Sequence, residues 1–308
     1  MQNLTKISFI ILTAYTDVGN VKYLYFTILL ALYVCIIFAN VLVIRVVCMD
    51  RSLHEPMYLF LCSLCVNELY GSTGLFPCLL LNLISDTHEI SLTYCYIQIY
   101  CLYTYGVAEF SNLAIMSYDR YMSICHPLQY HTIVTPKKVC LLILLAWLLS
   151  FCIFTVTFSL NLRLQLCGNV VEKVWCDNYL LVRLSCSDTT LNNIYGLCII
   201  VLVVGPPMVL MLYSYIRIIK ITFRASNDTK KKSLSTCVPH IVSLLNYSIG
   251  SCFTMIQSRL TKTSIPVTLS IIISVYFLMI PPLVNPIMYG LKMTKIRDAC
   301  RKVVSPRN

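Results

Sequence analysis

Long uncharged apolar runs alternate along the chain with short clusters of charge, and the runs set the architecture. About 20 apolar residues cross the bilayer as a helix, since about 30 Å of hydrocarbon is spanned at 1.5 Å per residue. Seven stretches reach that length: residues 23–44, 57–84, 90–118, 139–160, 191–216, 233–258 and 263–291. Five contain no Asp, Glu, Lys or Arg; the second holds only Glu68 and the third only Glu109. The predicted fold is all-α, a seven-transmembrane helix bundle.

Composition agrees. Of 308 residues, 58% are hydrophobic and only 12% charged, about half the usual charged share. A pair of soluble domains is excluded. The 9 Gly and 12 Pro do not mark a disordered or fibrous chain. The net charge of +11 comes from clusters between spans rather than from one polar face, so it reports topology and implies no nucleic acid.

Seven basic residues fall on the side of the first terminus (Lys6, Lys22, Arg163, Lys173, Arg183, Arg259, Lys262) and the other 17 on the opposite side. Cytoplasmic loops carry the Lys/Arg excess, so the amino terminus is expected outside and the carboxyl terminus in the cytosol. The sequon Asn3-Leu4-Thr5 on the outer side is a glycosylation acceptor. Residues 1–22 are expected to form an extracellular terminus, 23–291 the seven-transmembrane domain and 292–308 a cytoplasmic helix and tail. The apolar patch 7–12 is too short to span, which leaves the first span as an uncleaved signal anchor. In the tail, Met293, Ile296, Cys300 and Val303 recur at helical spacing among basic residues. This pattern predicts a short amphipathic eighth helix on the inner leaflet, with Cys300 either palmitoylated or a plain thiol.

Seventeen cysteines are an odd number. Most lie in apolar runs (Cys35, Cys62, Cys65, Cys198, Cys252), where small buried thiols are expected. On the outer side, Cys95, Cys167, Cys176 and Cys186 share an oxidising compartment, and four cysteines allow three pairings.

Seven spans alone do not assign a function; the motifs at their boundaries narrow it. The third span ends in Met116-Ser117-Tyr118-Asp119-Arg120-Tyr121 and continues Ile124-Cys125-His126-Pro127-Leu128-Gln129-Tyr130. Leu53-His54-Glu55-Pro56-Met57-Tyr58 precedes the second span, Ser214-Tyr215 lies in the fifth, and Ser235-Thr236-Cys237 through His240 opens the sixth. Asn285-Pro286-Ile287-Met288-Tyr289 lies in the seventh. Together these closely resemble the olfactory receptors among the rhodopsin-like G-protein-coupled receptors. The ending Tyr289-Gly290-Leu291-Lys292 and the Val238-Pro239-His240 opening look like the fish-like, class I set. One stretch departs: many members carry aromatic-Tyr-Gly in the sixth span where this chain has Asn246-Tyr247-Ser248.

The resemblance implies a multi-pass plasma-membrane receptor that binds a small odorant and activates a stimulatory G protein, with cyclic AMP as output. It implies no cofactor other than a sodium ion near Glu68 and Glu109, with Asn40, Ser111 or Asn285 as oxygen donors; protonated, hydrogen-bonded carboxyls are the alternative. It implies that Asp119 holds Arg120 at rest, that Arg120 faces the G protein once the sixth helix swings out, and that Tyr121, Tyr215, Asn285, Pro286 and Tyr289 belong to the same machinery. The family pattern pairs Cys95 with Cys176 and Cys167 with Cys186. Leu102, Tyr103, Gly106, Val107, Ile199, Val203 and Met255 match pocket positions, with core packing as the alternative. Arg259 would meet a ligand carboxylate or anchor the helix at the interface. The inner basic loops suit an acidic protein surface or anionic lipid.

Other functions fare worse. An opsin needs a lysine in residues 263–291, and there is none; an amine receptor needs an aspartate where Leu102 and Tyr103 stand. A non-olfactory chemoreceptor for a small metabolite, or an ion transporter or channel, remains the alternative. No catalytic motif points to an enzyme, and Cys237 with His240 lacks the second pair that zinc needs.

Overall fold

The computed structural model describes residues 7–15, 19–224, 226–259 and 267–304; the Asn3 sequon lies outside them. In chain order the helices are α1 (Lys22–Met49), α2 (Pro56–Ile84), α3 (Leu92–Cys125), α4 (Pro127–Ile133), α5 (Pro136–Asn161), α6 (Asn178–Arg183), α7 (Thr190–Arg224), α8 (Asn227–Arg259), α9 (Val267–Lys292) and α10 (Thr294–Val304). The seven long ones, α1, α2, α3, α5, α7, α8 and α9, form the bundle. Two short ones, α4 and α6, sit in loops.

Local chemistry sets the starts. Pro56 and Pro136 occupy the first turn, where a missing N–H costs nothing. The Ser91 and Thr135 hydroxyls accept from the Tyr94 and Lys138 backbone N–H groups, satisfying donors that the first turn cannot. Several helices outrun the apolar stretches: α3 continues to Cys125, and α7 and α8 run to Arg224 and from Asn227. Hydropathy marks only the part at lipid depth, whereas the backbone ladder continues into water as long as nothing breaks it.

By length and composition, α1, α2, α5 and α7 qualify as spans on their own among the described residues. Helix α3 is less apolar because it runs through the middle, packed on α2, α5, α7 and α8. Leu24, Ile28 and Phe38 of α1, Leu144 and Leu148 of α5, and Val201, Leu202 and Val209 of α7 point outward, a surface fit for lipid. The expectation of buried thiols needs correction here. Cys65 is buried and Cys62 partly so, but Cys35, Cys198 and Cys252 are exposed on the outward faces, where hydrocarbon suits a thiol as well as a core does.

The interior divides into two clusters. The larger one joins Leu75, Phe76, Ile99, Tyr105 and Trp175 to Ile10, Leu12 and Tyr15 at the outer end and runs down to Tyr215 and Ile218. The inner one gathers Val43, Leu61, Leu64, Met116, Val139 and Tyr289 with Met293, Ile296 and Ala299. The apolar edge of α10 thus docks against the bundle, with Ala299 buried in the cluster and Cys300 partly buried against it; the Val303 side chain lies outside the described set.

A small sheet caps the outer face, an addition to the all-α expectation. Strand β1 (Phe9–Leu12) lies between β2 (Glu89–Ser91), antiparallel, and β3 (Val170–Val171), parallel, with Ile10 opposite Ile90 and Ile11 opposite Val170. Ile90, assigned above to the third span, belongs to β2. The patch 7–12 is therefore no loose terminus: Ile10 and Leu12 are fully buried, and the Tyr15 hydroxyl donates to the Val174 carbonyl at 2.6 Å. Cys95 pairs with Cys176 and Cys167 with Cys186, at Cα separations of 5.5 and 5.7 Å. The first bond ties the long outer loop to α3; the second closes that loop on itself.

Candidate functional site

A cavity of about 190 Å³ opens between the outer halves of α3, α7 and α8 beneath the long loop. Its wall includes all eight positions expected of a pocket: Leu102, Tyr103, Gly106 and Val107 from α3, Ile199 and Val203 from α7, Met255 and Arg259 from α8. Phe110 and Tyr247 form the floor, Trp175 and Asp177 the roof, and Phe277 adds a contribution from α9. The volume is below the range of drug-sized pockets, so the chamber suits a small, largely apolar molecule.

The roof carries charge that sequence reading missed. Lys173 and Asp177, four residues apart in the loop, form an ion pair at 2.9 Å with side chains only 4% and 2% exposed. Lys173 Nζ also donates to Ser258 Oγ at 2.6 Å and lies 5.0 Å over the Trp175 ring. Asp177 accepts from the Ser258 hydroxyl at 3.1 Å and from the Leu180 backbone N–H at 3.0 Å, the latter capping α6. Burial alone would raise the Asp177 pKa, but the Lys173 ammonium and these hydrogen bonds hold it below the ordinary Asp value. Loop charges read as solvated by default; the spacing of four was the available signal.

Arg259 contrasts with this pair. It is exposed, its guanidinium lies 4.8 Å over the Tyr179 ring, and among the described residues no carboxylate stands within ion-pair distance of it. A cation at a cavity wall without an acidic partner can accept one from a ligand.

Below the floor lie the two intramembrane carboxylates, both fully buried. Glu68 accepts from Asn285 Nδ2 at 2.5 Å and from the Tyr105 hydroxyl at 3.1 Å. Glu109 accepts from Asn67 Nδ2 at 2.9 Å and Asn285 Nδ2 at 3.2 Å. Asn285 therefore bridges both. Asn40 and Ser111 turn elsewhere, Asn40 to the Ile36 and Pro282 carbonyls and Ser111 to that of Val107. The amide oxygens of Asn40, Asn67 and Asn285 are buried without donors among the described residues. Paired carboxylates with such oxygens fit a monovalent cation, although among the described residues no cluster of three His, Cys, Asp or Glu exists.

At the cytoplasmic end, Arg120 is bound to Asp119 through Nε at 3.1 Å and more closely through Nη2. The other Asp119 oxygen accepts from the Tyr130 hydroxyl of α4 at 2.7 Å. Tyr121 faces His126 at 3.1 Å. Tyr215 of α7 hydrogen-bonds His240 Nδ1 of α8, a partner not foreseen from the sequence. Tyr289 is buried in the inner cluster, and Pro286 lies inside α9 one residue after Asn285.

A family model described as olfactory receptor matches residues 29–307. Human olfactory receptor 10J5 is 31% identical over 98% of this chain and 97% of its own length. Mouse olfactory receptor 1M1 is 33% identical over 99% and 97%, and human olfactory receptor 6C1 34% identical over 97% and 96%. With boundary motifs, bundle and outer cavity all in place, the chain belongs to the olfactory receptor family, non-enzymatic multi-pass membrane receptors coupled to G proteins.

Proposed function

We propose that a small odorant entering the outer cavity switches this receptor on, and that the occupied receptor activates a stimulatory G protein and raises cyclic AMP. The observation that carries this reading is the cavity: the eight wall residues converge on one mostly apolar chamber whose rim presents Arg259 without an acidic partner among the described residues. An odorant carrying a carboxylate is the class favoured, with the guanidinium taking it in a fork and the apolar wall taking the hydrocarbon.

Binding acts as a population shift: the odorant prefers the state in which the sixth span, α8, has swung out at the cytoplasmic end, and raises that state's share. At rest Asp119 and Tyr130 occupy the cytoplasmic hub; after the swing Arg120 meets the G protein, with Tyr121, Tyr215 and Tyr289 lining the cleft. Glu68, Glu109 and Asn285 would hold a sodium ion that offsets the paired negative charge in the resting state. The receptor sits in the plasma membrane with a glycosylated Asn3 outside and the tail inside. The motifs around Tyr289 and His240 favour class I.

The test is a panel of volatile and water-soluble carboxylic acids with matched alcohols, applied to cells expressing the receptor. Acid-driven cyclic AMP that weakens at least tenfold in Arg259→Ala is expected. No odorant-driven cyclic AMP would reject the receptor reading, and unchanged acid responses in Arg259→Ala would reject the anchor. Replacing Glu109 by Gln should abolish any sodium dependence; if it persists, the cation site falls.

A further inference from the structure

Several polar groups of the cavity wall keep their hydrogens for the protein itself. Thr157, Ser251 and Thr254 donate to the carbonyls of Ile153, Ser248 and Gly250 at 3.3, 3.1 and 3.0 Å. Asn192 donates to the Asn161 side-chain oxygen at 3.0 Å. Trp175 in the roof does not. Its residue is 1% exposed and lines the cavity, and among the described residues its indole Nε1–H meets no acceptor. A buried donor without a partner is costly and uncommon.

The surroundings of Trp175 define what could supply that partner. The Lys173 ammonium lies over its ring at 5.0 Å, and the Tyr103 and Phe277 rings, which also line the cavity, stand 6.3 and 6.4 Å away. The ammonium is already taken by Asp177 and Ser258, so the roof offers a neutral donor rather than a free positive charge. Arg259 suits a carboxylate; an indole N–H among aromatic rings suits an uncharged carbonyl oxygen.

We propose that Trp175 is a specificity-determining contact of the outer cavity, its indole N–H taking a keto or ester oxygen of the odorant. The receptor then prefers such a molecule over one of the same shape that carries carbon in place of that oxygen. The inference rests on the reading that the cavity is the odorant site, and it narrows carboxylic acids to acids with a second, uncharged oxygen. An occupant lacking that oxygen strands the N–H, and a site built on a hydrogen bond rejects such an analogue strongly.

Levulinic acid and isocaproic acid carry a keto oxygen and a methyl branch, respectively, at the same carbon. These two, with longer pairs of the same design, are applied to cells expressing the full chain, and cyclic AMP is read against dose. The keto acid of the best pair should act at roughly fivefold to thirtyfold lower concentration than its methyl partner. Trp175→Phe keeps a ring in the roof and loses the N–H, and should bring that ratio close to one. Arg259→Ala should weaken both acids and keep the ratio. Because the ratio is taken within each variant, a change in surface expression does not imitate the result.

A second readout needs no G protein. The chain holds only two tryptophans, and Trp147 donates to Ser63 Oγ at 3.2 Å away from the cavity wall. In the purified Trp147→Phe receptor, emission therefore comes from Trp175 alone; the keto acid should shift it to the red and the methyl acid should not. Equal potency of the two acids, an equal shift, or a keto preference that survives Trp175→Phe would overturn the role given to Trp175 and leave the odorant reading standing. A keto-specific shift without cyclic AMP would keep the contact and overturn the stimulatory coupling. If no acid raises cyclic AMP or moves the emission, both fall.

Discussion

Each face of the bundle holds a buried ion pair, and the two are built differently. Lys173 and Asp177 are enclosed on all sides, with Ser258, Trp175 and the Leu180 backbone taking up what the pair leaves over. Asp119 is 1% exposed, but its partner Arg120 is 13% exposed, and the pair is held by one further hydroxyl, that of Tyr130. A pair closed from every direction fixes geometry, because removing either charge strands the other. A pair with one cation near water can exchange its partner. The outer pair is therefore a fastening between the loop and α8, and the inner pair is, on the proposed mechanism, the contact that activation releases.

Substitutions can break this contrast, beginning with the largest effect. Lys173→Ala leaves the Asp177 carboxylate buried and uncompensated, and should cost about 3–5 kcal/mol of stability, read as a large fall in melting temperature of the purified receptor. The apolar pair Lys173→Met with Asp177→Leu should recover most of it. Asp119→Asn weakens a charge-assisted hydrogen bond of about 1.5–3 kcal/mol, so basal cyclic AMP should rise by about tenfold at matched surface expression while the melting temperature moves little. A basal level equal to wild type would remove the distinction between fastening and release.

Acid should act on the outer pair. The Asp177 pKa is depressed in the folded protein, so its stabilising effect is complete above the ordinary Asp pKa of about 3.9 and is lost as pH falls through the lower folded value. Thermal stability should hold from pH 7 to about 4.5 and fall below about 4, by about 1.4 kcal/mol for each unit of depression; Asp177→Asn should flatten that fall. The smallest effect is expected from Lys295→Ala. Its bond to Glu55 at 2.7 Å joins side chains 52% and 55% exposed, a setting worth about 0–1 kcal/mol.

The seven spans were legible in the sequence because hydrocarbon demands an uncharged run of fixed length, and that demand leaves a mark no other environment makes. The cavity wall was legible by register: once Arg120 and His240 are fixed, helical spacing from them reaches Leu102, Gly106, Met255 and Arg259. The outer cap was not legible. Residues 7–12 are pinned by partners in two distant loops, and no local pattern announces pairing at such a distance. Lys173 and Asp177 were passed over for a related reason. A loop charge differs from a buried one only through what folds onto it, here Ser258 of α8 and the Trp175 ring. The bond between Tyr215 and His240 likewise depends on how α7 and α8 sit side by side.

The position of β1 has a consequence for biogenesis. Ile10 waits for Ile90, and Ile11 for Val170, which the ribosome makes 80 and 159 positions later. Strand β1 is made before both of its partners and is seated only after the fourth span has been threaded, and until then Ile10 and Leu12 stand uncovered. Nascent chains that stall before that point carry an uncovered apolar strand, the feature that retention machinery recognises in unfinished proteins.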